Sequence, residues 1–353
     1  MLSKRRKTKK IQIGNVFIGG DAPIVVQSMA ATPLSDFDNL YREIKSLEEV
    51  GCEIVRVAVP DRESAEKLAI LKRKISIPLV ADIHFDYRLA LISIDQGVDK
   101  IRINPGNIKN KDHLKAIIDK AKEKNIAIRI GVNSGSMPLD LIDKYGGVTP
   151  QGMVDAALRY IRFFEDNNFE NIVISIKSSD IETTVRANRL LSSLTSYPIH
   201  IGITEAGPYF EGSIKSAIGM GILLSEGIGD TIRVSLTAHP VKEVEVAYNI
   251  LKFLGIRRRG PEIVSCPTCG RKEVDVEKLV DLIWDKVKYI KLPIKIAVMG
   301  CPVNGPGEAR EADIGVAGTK DGYGIVFKKG KIVKKAKFEE IADELLKLIE
   351  DIK

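Results

Sequence analysis

Short runs of β-branched and other apolar residues recur along the first 240 residues, and helical patterns separate them. Eight such runs stand at 24–29, 54–59, 79–84, 100–104, 127–133, 172–177, 199–205 and 231–236. Most of them are continuous rather than alternating, which is typical of parallel strands that are buried on both faces. A helix is predicted over 154–166, because Thr149 and Pro150 supply an N-cap and a first-turn proline. Residues 36–50 and 241–254 show helical periodicity and are followed by a glycine.

The number and spacing of these units predict the fold. Successive strands begin mostly 21 to 32 residues apart, and one interval of 45 residues contains 135–147, where we expect an enlarged loop. Eight β/α units over about 240 residues match an α/β fold of the (β/α)8 TIM-barrel type. A doubly wound sheet is the alternative, although it rarely needs eight units of such regularity.

The last part of the chain has a different pattern and predicts a second, smaller α/β domain. Helices are expected at 276–289 and 338–350, and strands at 262–265, 294–299, 312–317, 323–327 and 331–334. The charged stretch 256–261 ends in Gly-Pro, lacks apolar periodicity and predicts a linker. The predicted organisation is therefore a basic flexible tail over 1–10, a substrate-binding barrel over 11–255, the linker, and a C-terminal domain over 262–353.

Polar residues collect at the C-terminal ends of the predicted barrel strands, where TIM barrels carry their active sites. They are Gln27, Ser28, Arg56, Asp82, His84, Arg102, Asn104, Arg129, Asn133, Lys177, Thr204, Glu205, Arg233 and Ser235. Five of these are cations from five strands, and each interrupts an apolar run. We expect three carboxylates at most to pair with them, from Asp82, Glu205 and Asp86. Arginine binds phosphate oxygens bidentately, so this surplus of positive charge predicts a diphosphate or another polyanionic ligand. Alternatively, single cations point outward and form structural ion pairs.

Three of the four cysteines lie in one C-terminal region. Cys266 and Cys269 form a Cys-x2-Cys pair, and 31 residues separate this pair from Cys301. No Cys or His follows Cys301, so the nearest candidate for a fourth ligand is Glu308. Three thiolates and an exchangeable carboxylate favour an iron–sulfur site that opens to substrate. A structural zinc site is the alternative, although such sites usually bring a second close pair of ligands. Cys52 stands alone in an apolar run and predicts a buried, inert thiol.

Charge and composition exclude several classes of protein. The net charge of +7 comes almost entirely from six lysines and arginines within residues 4–10, because the remainder has 48 basic and 47 acidic residues. Such a run predicts a solvated, mobile end, and no aromatic interleaving supports a nucleic-acid arm. No apolar run is long enough to span a membrane, and no secretory signal stands at the N-terminus. Four cysteines do not make a disulfide framework, so a cytoplasmic protein is expected.

Two C-terminal motifs resemble the signature of the 4-hydroxy-3-methylbut-2-enyl diphosphate synthases of isoprenoid biosynthesis. They are Cys266-Pro-Thr-Cys-Gly-Arg271 and Met299-Gly-Cys-Pro-Val-Asn-Gly-Pro-Gly-Glu308. Barrel segments resemble the same family at 25–29, 55–60, 81–86, 100–106, 129–135 and 202–207. The resemblance covers nearly the whole chain after residue 10. There is no room for the extra domain of plant-type members, so the chain is similar to the short, two-domain bacterial form.

The resemblance implies an iron–sulfur oxidoreductase with a C-terminal domain like that of the sulfite reductases. A 4Fe–4S cluster would be held by Cys266, Cys269, Cys301 and Glu308. The substrate, 2-C-methyl-D-erythritol 2,4-cyclodiphosphate, would lie against Arg56, Arg102, Arg129, Asn133, Lys177, Ser235, Ser265 and Asn304. Glu205 would be the acid for the departing oxygen, and Asp82 a further catalytic residue. The family also implies ferredoxin or flavodoxin as electron donor, and a homodimer in which the cluster domain of one chain covers the barrel mouth of the other.

Two other classes of function remain open from the residues alone. One is a hydrolase or lyase of a phosphorylated substrate that carries a structural zinc. The other is a non-catalytic role in nucleic-acid binding or metal transport that uses the basic tail.

Overall fold

The structure is a computed structural model that describes residues 3–108, 110–301 and 311–351. The chain divides into two compact units, Met1–Arg257 and Arg258–Lys353. The division falls inside the predicted linker at 256–261.

Ten strands occur in the described part of the first unit. They are β1 (Ile11–Ile13), β2 (Val16–Ile18), β3 (Val25–Met29), β4 (Ile54–Ala58), β5 (Leu79–Ile83), β6 (Lys100–Ile103), β7 (Ala127–Asn133), β8 (Ile172–Lys177), β9 (His200–Ile201) and β10 (Thr231–Ile232). Strands β3 to β10 form one parallel sheet in the order β8-β7-β6-β5-β4-β3-β10-β9. A parallel bridge from Ile174 to Ile199 joins the two outer strands. The sheet is thus a nearly closed eight-stranded barrel, and the predicted TIM-type fold is confirmed.

Helices follow the barrel strands and cover the outside of the sheet. They are α1 (Phe37–Glu49), α2 (Arg62–Lys74), α3 (Tyr87–Asp95), α4 (Lys111–Glu123), α5 (Leu139–Tyr145), α6 (Pro150–Asp166), α7 (Ile181–Leu194), α8 (Tyr209–Ser225) and α9 (Pro240–Phe253). The predicted cap of α6 is present, because Thr149 Oγ1 accepts a hydrogen bond from Gly152 N over 3.1 Å. The prediction of a loop over 135–147 was incomplete, since the short helix α5 lies within it.

A hairpin that the sequence analysis did not predict packs against the ends of the barrel strands. Strands β1 and β2 pair antiparallel, and their turn includes Gly14 with a φ of +56°. Its apolar side chains form one buried cluster with the first inward residues of the strands. The members of this cluster are Ile11, Ile13, Ile18, Val25, Ile54, Val80, Ala127 and Val173. Because each of these barrel residues is the first or second of its strand, the hairpin lies at the N-terminal end of the barrel and leaves the C-terminal end for a site.

The basic segment at 3–10 is held against the barrel, where the charge run had predicted a solvated, mobile end. Arg5 Nη2 lies 2.7 Å from Asp230 Oδ1, and the Asp230 side chain is buried. Arg6 donates side-chain hydrogen bonds to the backbone carbonyls of Ser192, Thr195 and Tyr197. Local composition could not reveal these partners, because all of them lie about 190 residues away in sequence or further.

The described residues of the second unit form a five-stranded sheet with helices packed on it. Its strands are β11 (Glu262–Ser265), β12 (Lys295–Met299), β13 (Ile314–Thr319), β14 (Tyr323–Lys328) and β15 (Lys331–Lys337), in that spatial order. The first three are parallel and the last two are antiparallel to their neighbours. Helices α10 (Val276–Val287) and α11 (Ile341–Glu350) pack on this sheet through residues such as Leu279, Ile283 and Leu345. In the described parts of both units, every helix is too short or too polar to cross a membrane.

Candidate active site

Alternation along the barrel strands separates apolar residues from charged ones. On β4, Val55 and Val57 belong to the core between sheet and helices, whereas Arg56 between them faces inward. The same period of two places Asp82, Arg102 and Arg129 in the barrel interior. The register sets these three side by side, because Asp82 is paired with Arg102 and Arg102 with Arg129.

Asp82 is the carboxylate at the centre of this group. Its Oδ1 lies 3.1 Å from Arg102 Nη1, and its Oδ2 lies 3.7 Å from Arg56 Nε and 3.5 Å from His84 Nε2. Burial by itself would raise the pKa of Asp82, but the charges of Arg56 and Arg102 and the hydrogen bond with His84 hold that pKa far below its usual range. Asp82 is therefore ionised at neutral pH.

Arg129 differs from Arg56 and Arg102 in its hydrogen bonding. Its side chain is nearly inaccessible, with 2% of its surface exposed. Its Nε and Nη1 have no hydrogen-bond partner among the described residues. Burial and then the charges of Arg56 and Arg102 lower the pKa of Arg129 well below its ordinary value. A buried cation without a hydrogen-bonded partner is costly. An anionic ligand would supply the missing acceptors.

Lys177 ends strand β8 and is also buried. Its Nζ lies 3.1 Å from Nε2 of His200, the first residue of β9. A Cβ atom at Gly202 would stand 2.8 Å from Lys177 Nζ, and one at Gly131 would stand 2.8 Å from Arg102 Nε. Gly131 on β7 and Gly202 directly after β9 thus leave room for long cationic side chains, and at Gly202 an added Cβ would also stand 2.3 Å from the backbone oxygen of Arg233. His200, Gly131 and Gly202 were all missed as site residues, because each is unremarkable within an apolar run.

Arg233 differs from the other strand-end cations, because it has its own carboxylate. Arg233 Nη2 lies 3.2 Å from Oε1 of Glu243, which also accepts hydrogen bonds from Ser28 Oγ and Leu236 N. Glu243 belongs to α9, and the helical pattern gave no sign that it turns towards the strands. The expectation for Asp86 was wrong, because this carboxylate forms an exposed pair with Arg88 over 2.7 Å.

Other predicted site residues lie in the loops after the strands. Glu205 is exposed and has a φ of +50°, in the left-handed region that non-glycine residues seldom occupy. Such a conformation is characteristic of functional sites. Asn133 ends β7 beside Lys177 in the register, and Ser235 is half-buried after β10. Met29 was not predicted, and its Sδ lies 2.8 Å from Arg56 Nη2.

The cysteines are placed by the parallel part of the second sheet. Cys266 follows β11 and Cys301 follows its neighbour β12, and Gly300 N donates a hydrogen bond to Cys266 Sγ over 3.1 Å. Cys269 is exposed, and hydrogen bonds from the backbone and then the side chain of Arg271 lower the pKa of its thiol. Within residues 3–108, 110–301 and 311–351, no three Cys, His, Asp or Glu side chains are close enough to hold a metal ion.

The structure describes two of the remaining predicted residues, Ser265 and Cys52. Ser265 is exposed at the end of β11. Glu308 and Asn304 lie outside the described residues. Cys52 is buried as expected, and burial raises the pKa of its thiol to about 12.

Both units match models of one protein family. Residues 8–248 match the GcpE TIM-barrel domain, and residues 262–351 match the GcpE protein C-terminal domain. The chain belongs to the GcpE family.

Two curated relatives of the chain share the name 4-hydroxy-3-methylbut-2-en-1-yl diphosphate synthase (flavodoxin). The relative from Thermodesulfovibrio yellowstonii is 56% identical over 346 residues, which cover 98% of this chain and 99% of that protein. The relative from Caldanaerobacter subterraneus subsp. tengcongensis is 54% identical over 350 residues, 99% of this chain and 98% of that protein. The resemblance inferred from the sequence motifs is thus confirmed, and these names do not support a hydrolase or lyase.

Solved structures of other proteins resemble this chain over about the length of the barrel unit. Dihydropteroate synthase from Yersinia pestis matches with a TM-score of 0.50 at 11% identity, over 70% of this chain and 97% of that chain. The enzyme from Stenotrophomonas maltophilia matches with the same TM-score and coverage at 12% identity. At such identity the likeness establishes only the fold of the first unit.

Proposed function

We propose that this protein reduces 2-C-methyl-D-erythritol 2,4-cyclodiphosphate to 4-hydroxy-3-methylbut-2-enyl diphosphate. The reaction takes up two electrons and two protons, opens the cyclic diphosphate by breaking a carbon–oxygen bond, and releases one hydroxyl group as water. The observation that carries the proposal is the buried guanidinium of Arg129, whose Nε and Nη1 lack partners among the described residues, in a chain whose relatives are named diphosphate synthases. A diphosphate supplies the acceptor oxygens and the negative charge that this cation needs.

The basic residues bind the diphosphate and hold it at the C-terminal end of the barrel. Arg129 offers free N–H groups, while Arg56 and Arg102 remain anchored to Asp82 on one side and present their other N–H groups to phosphate oxygens. Asp82 therefore acts as a positioning residue, since a carboxylate with so low a pKa has no proton to donate at neutral pH. Further hydrogen bonds to the substrate come from Asn133, Lys177, Ser235, Ser265 and Asn304.

Glu205 is the proposed general acid. The departing hydroxyl leaves more easily as water than as hydroxide. A carboxylic acid that protonates this oxygen therefore lowers the activation barrier for breaking its carbon–oxygen bond. Its exposed position on a loop after β9, at the C-terminal end of the barrel, is consistent with a side chain that meets substrate.

A 4Fe–4S cluster is proposed on Cys266, Cys269, Cys301 and Glu308. The donor set fits this group: two of the thiols follow neighbouring parallel strands, the third has a lowered pKa that favours the thiolate, and iron–sulfur clusters bind thiolates. When bound, the cluster supplies single-electron transfer. The electrons come from flavodoxin, as the names of the relatives indicate. A cytoplasmic location fits these partners, and the homodimer implied by the family stays a prediction.

The test is anaerobic purification followed by metal analysis and turnover. We expect about four irons with matching sulfide per chain. Reduced flavodoxin should convert the cyclic diphosphate to the linear product, which phosphorus NMR distinguishes. One zinc per chain without turnover would support the hydrolase or lyase alternative. Protein without metal but with affinity for RNA would support the nucleic-acid alternative.

A further inference from the structure

The buried pair of Lys177 and His200 stands apart from the ion pairs of the site. Both residues are at least nine-tenths buried, and Lys177 Nζ lies 3.1 Å from His200 Nε2. The nearest partner of this ammonium is therefore an imidazole, whereas Arg56 and Arg102 contact a carboxylate and Arg233 has Glu243.

His200 has a second hydrogen-bond partner, at its other ring nitrogen. His200 Nδ1 lies 3.4 Å from Oγ1 of Thr231, which is its register partner on the adjacent strand β10 and is fully buried. A protonated Lys177 can only donate, so opposite the ammonium form Nε2 is the acceptor and Nδ1 carries the proton. Thr231 Oγ1 then accepts from Nδ1, and the chain of hydrogen bonds runs from Lys177 through His200 to Thr231.

The surroundings keep this imidazole neutral. Burial first, and then the charges of Lys177 and Arg129, lower the pKa of His200 well below its usual value. Burial and the neighbouring cations likewise lower the pKa of Lys177. The charged groups around the pair are Arg56 on β4, Lys100 and Arg102 on β6, Arg129 on β7 and Arg233 directly after β10. The neutral Nε2 acceptor opposes this lowering, because a hydrogen bond to the charged form stabilises the protonated lysine.

We propose that His200 is a positioning residue for Lys177: its neutral Nε2 accepts a hydrogen bond from one ammonium N–H, which stabilises the charged form of Lys177 and leaves two further N–H groups for the diphosphate. Gly202 contributes the space, since any side chain there would collide with the lysine Nζ. This inference rests on the proposed function, because it assigns a device for binding the same diphosphate. His200 does not touch the reacting atoms in this scheme and acts only through Lys177.

The first test is the affinity of the purified holoenzyme for the cyclic diphosphate, measured by isothermal titration without reductant. His200→Leu should weaken binding by roughly tenfold to 100-fold, the range of a hydrogen bond to a charged group. In turnover the variant should show a raised KM and a smaller change in kcat. The same substitution at His113, which stacks on Tyr87 at 3.8 Å, is the matched control and should leave affinity unchanged.

A double-mutant cycle separates positioning from a general structural role. In a Lys177→Met background, His200→Leu should cause no further loss of affinity, because its effect passes through the lysine. An equal further loss in that background would overturn the inference. In addition, wild-type affinity should fall as the pH rises through the pKa of Lys177, and His200→Leu should shift this fall to lower pH. An unshifted pH profile would also count against it.

Conservative variants keep the inference testable should His200→Leu fail to fold. Glutamine can present an acceptor near the position of Nε2, whereas asparagine reaches only the position of Nδ1. His200→Gln should therefore retain most of the wild-type affinity, and His200→Asn should lose it. Equal affinities of these two variants would contradict the role of Nε2. Wild-type protein that does not bind the cyclic diphosphate would instead refute the proposed function, so the two failures are distinguishable.

Discussion

Arg102 and Asp82 form a buried ion pair across two neighbouring parallel strands, with Nη1 and Oδ1 3.1 Å apart. Each residue is at least nine-tenths buried. Arg129 is the register neighbour of Arg102 on the other side and has no such carboxylate contact for its Nε and Nη1 within the described chain. Two arginines at one level of the barrel therefore have different electrostatic roles, and this difference leads to separate predictions for them.

Replacement of Asp82 should destabilise the barrel at neutral pH. Asp82→Asn leaves Arg56 and Arg102 buried without their counter-charge, and breaking a buried ion pair from one side costs about 3–5 kcal/mol of unfolding free energy. The pKa of Asp82 is lowered on folding, so its contribution is complete above the unfolded aspartate pKa of about 3.9 and is lost as the pH falls towards the folded value.

Urea unfolding of both proteins at several pH values measures this prediction. The stability difference should be constant from neutral pH down to about pH 5 and should shrink below about pH 4. A difference that grows on acidification would mean that the pKa of Asp82 is raised on folding, which would contradict its stabilisation by the arginines.

Arg129→Met and Arg102→Met should separate binding from stability. Both variants should weaken binding of the cyclic diphosphate by about 1.5–3 kcal/mol, because each removes charge-assisted hydrogen bonds. Thermal stability should be unchanged or raised in Arg129→Met, which removes an unpaired buried charge, and lowered in Arg102→Met, which breaks the pair with Asp82. Calorimetry gives both quantities. Equal losses of melting temperature would show that Arg129 is also a structural ion-pair residue.

The cysteines should divide into three that hold the cluster and one that does not. Cys266→Ser, Cys269→Ser and Cys301→Ser should each abolish cluster assembly, as seen in iron content and visible absorbance, while the barrel unit retains its circular dichroism. Cys52→Ser is the control and should keep its iron, since this thiol donates to Ile54 O within the barrel core. Loss of iron in Cys52→Ser together with its retention in Cys301→Ser would refute the ligand assignment.

The two proposed acidic residues should have separable effects. Glu308→Gln should retain a cluster whose electron paramagnetic resonance spectrum is altered before substrate is added, because a ligand of the resting cluster has changed. Glu205→Gln should retain the resting spectrum and turn over about 10²- to 10⁴-fold more slowly, the usual cost of losing a general acid.

Spectra of both variants, reduced and with or without the cyclic diphosphate, make the comparison. A resting spectrum of Glu308→Gln that matches wild type would remove Glu308 from the ligand set. Wild-type turnover by Glu205→Gln would end its assignment as the acid.

The barrel could be predicted from the sequence because its signals are local. Continuous β-branched runs at regular spacing define parallel strands and their number, and the period of two along a strand places every second residue on the same face. This is why Arg56, Arg102 and Arg129 could be assigned to separate strands of one barrel before any contact was known, although Arg56 and Arg129 lie within their strands rather than at the C-terminal ends. The cysteine motif could likewise be assigned to a family from the sequence, because the assignment depends on the spacing of residues within a short stretch.

The partners of these residues were decided by the tertiary structure. Glu243 lies on a helix and pairs with Arg233, and the hairpin β1–β2 packs on the ends of distant strands. The side-chain acceptors of Arg6 lie about 190 residues away in sequence. His200 acquires a role only because closure of the barrel sets β9 beside β8, which brings its imidazole to Lys177. Hydrogen bonds and ion pairs depend on distances of a few ångströms between elements, and such distances follow from strand register and barrel closure rather than from local sequence.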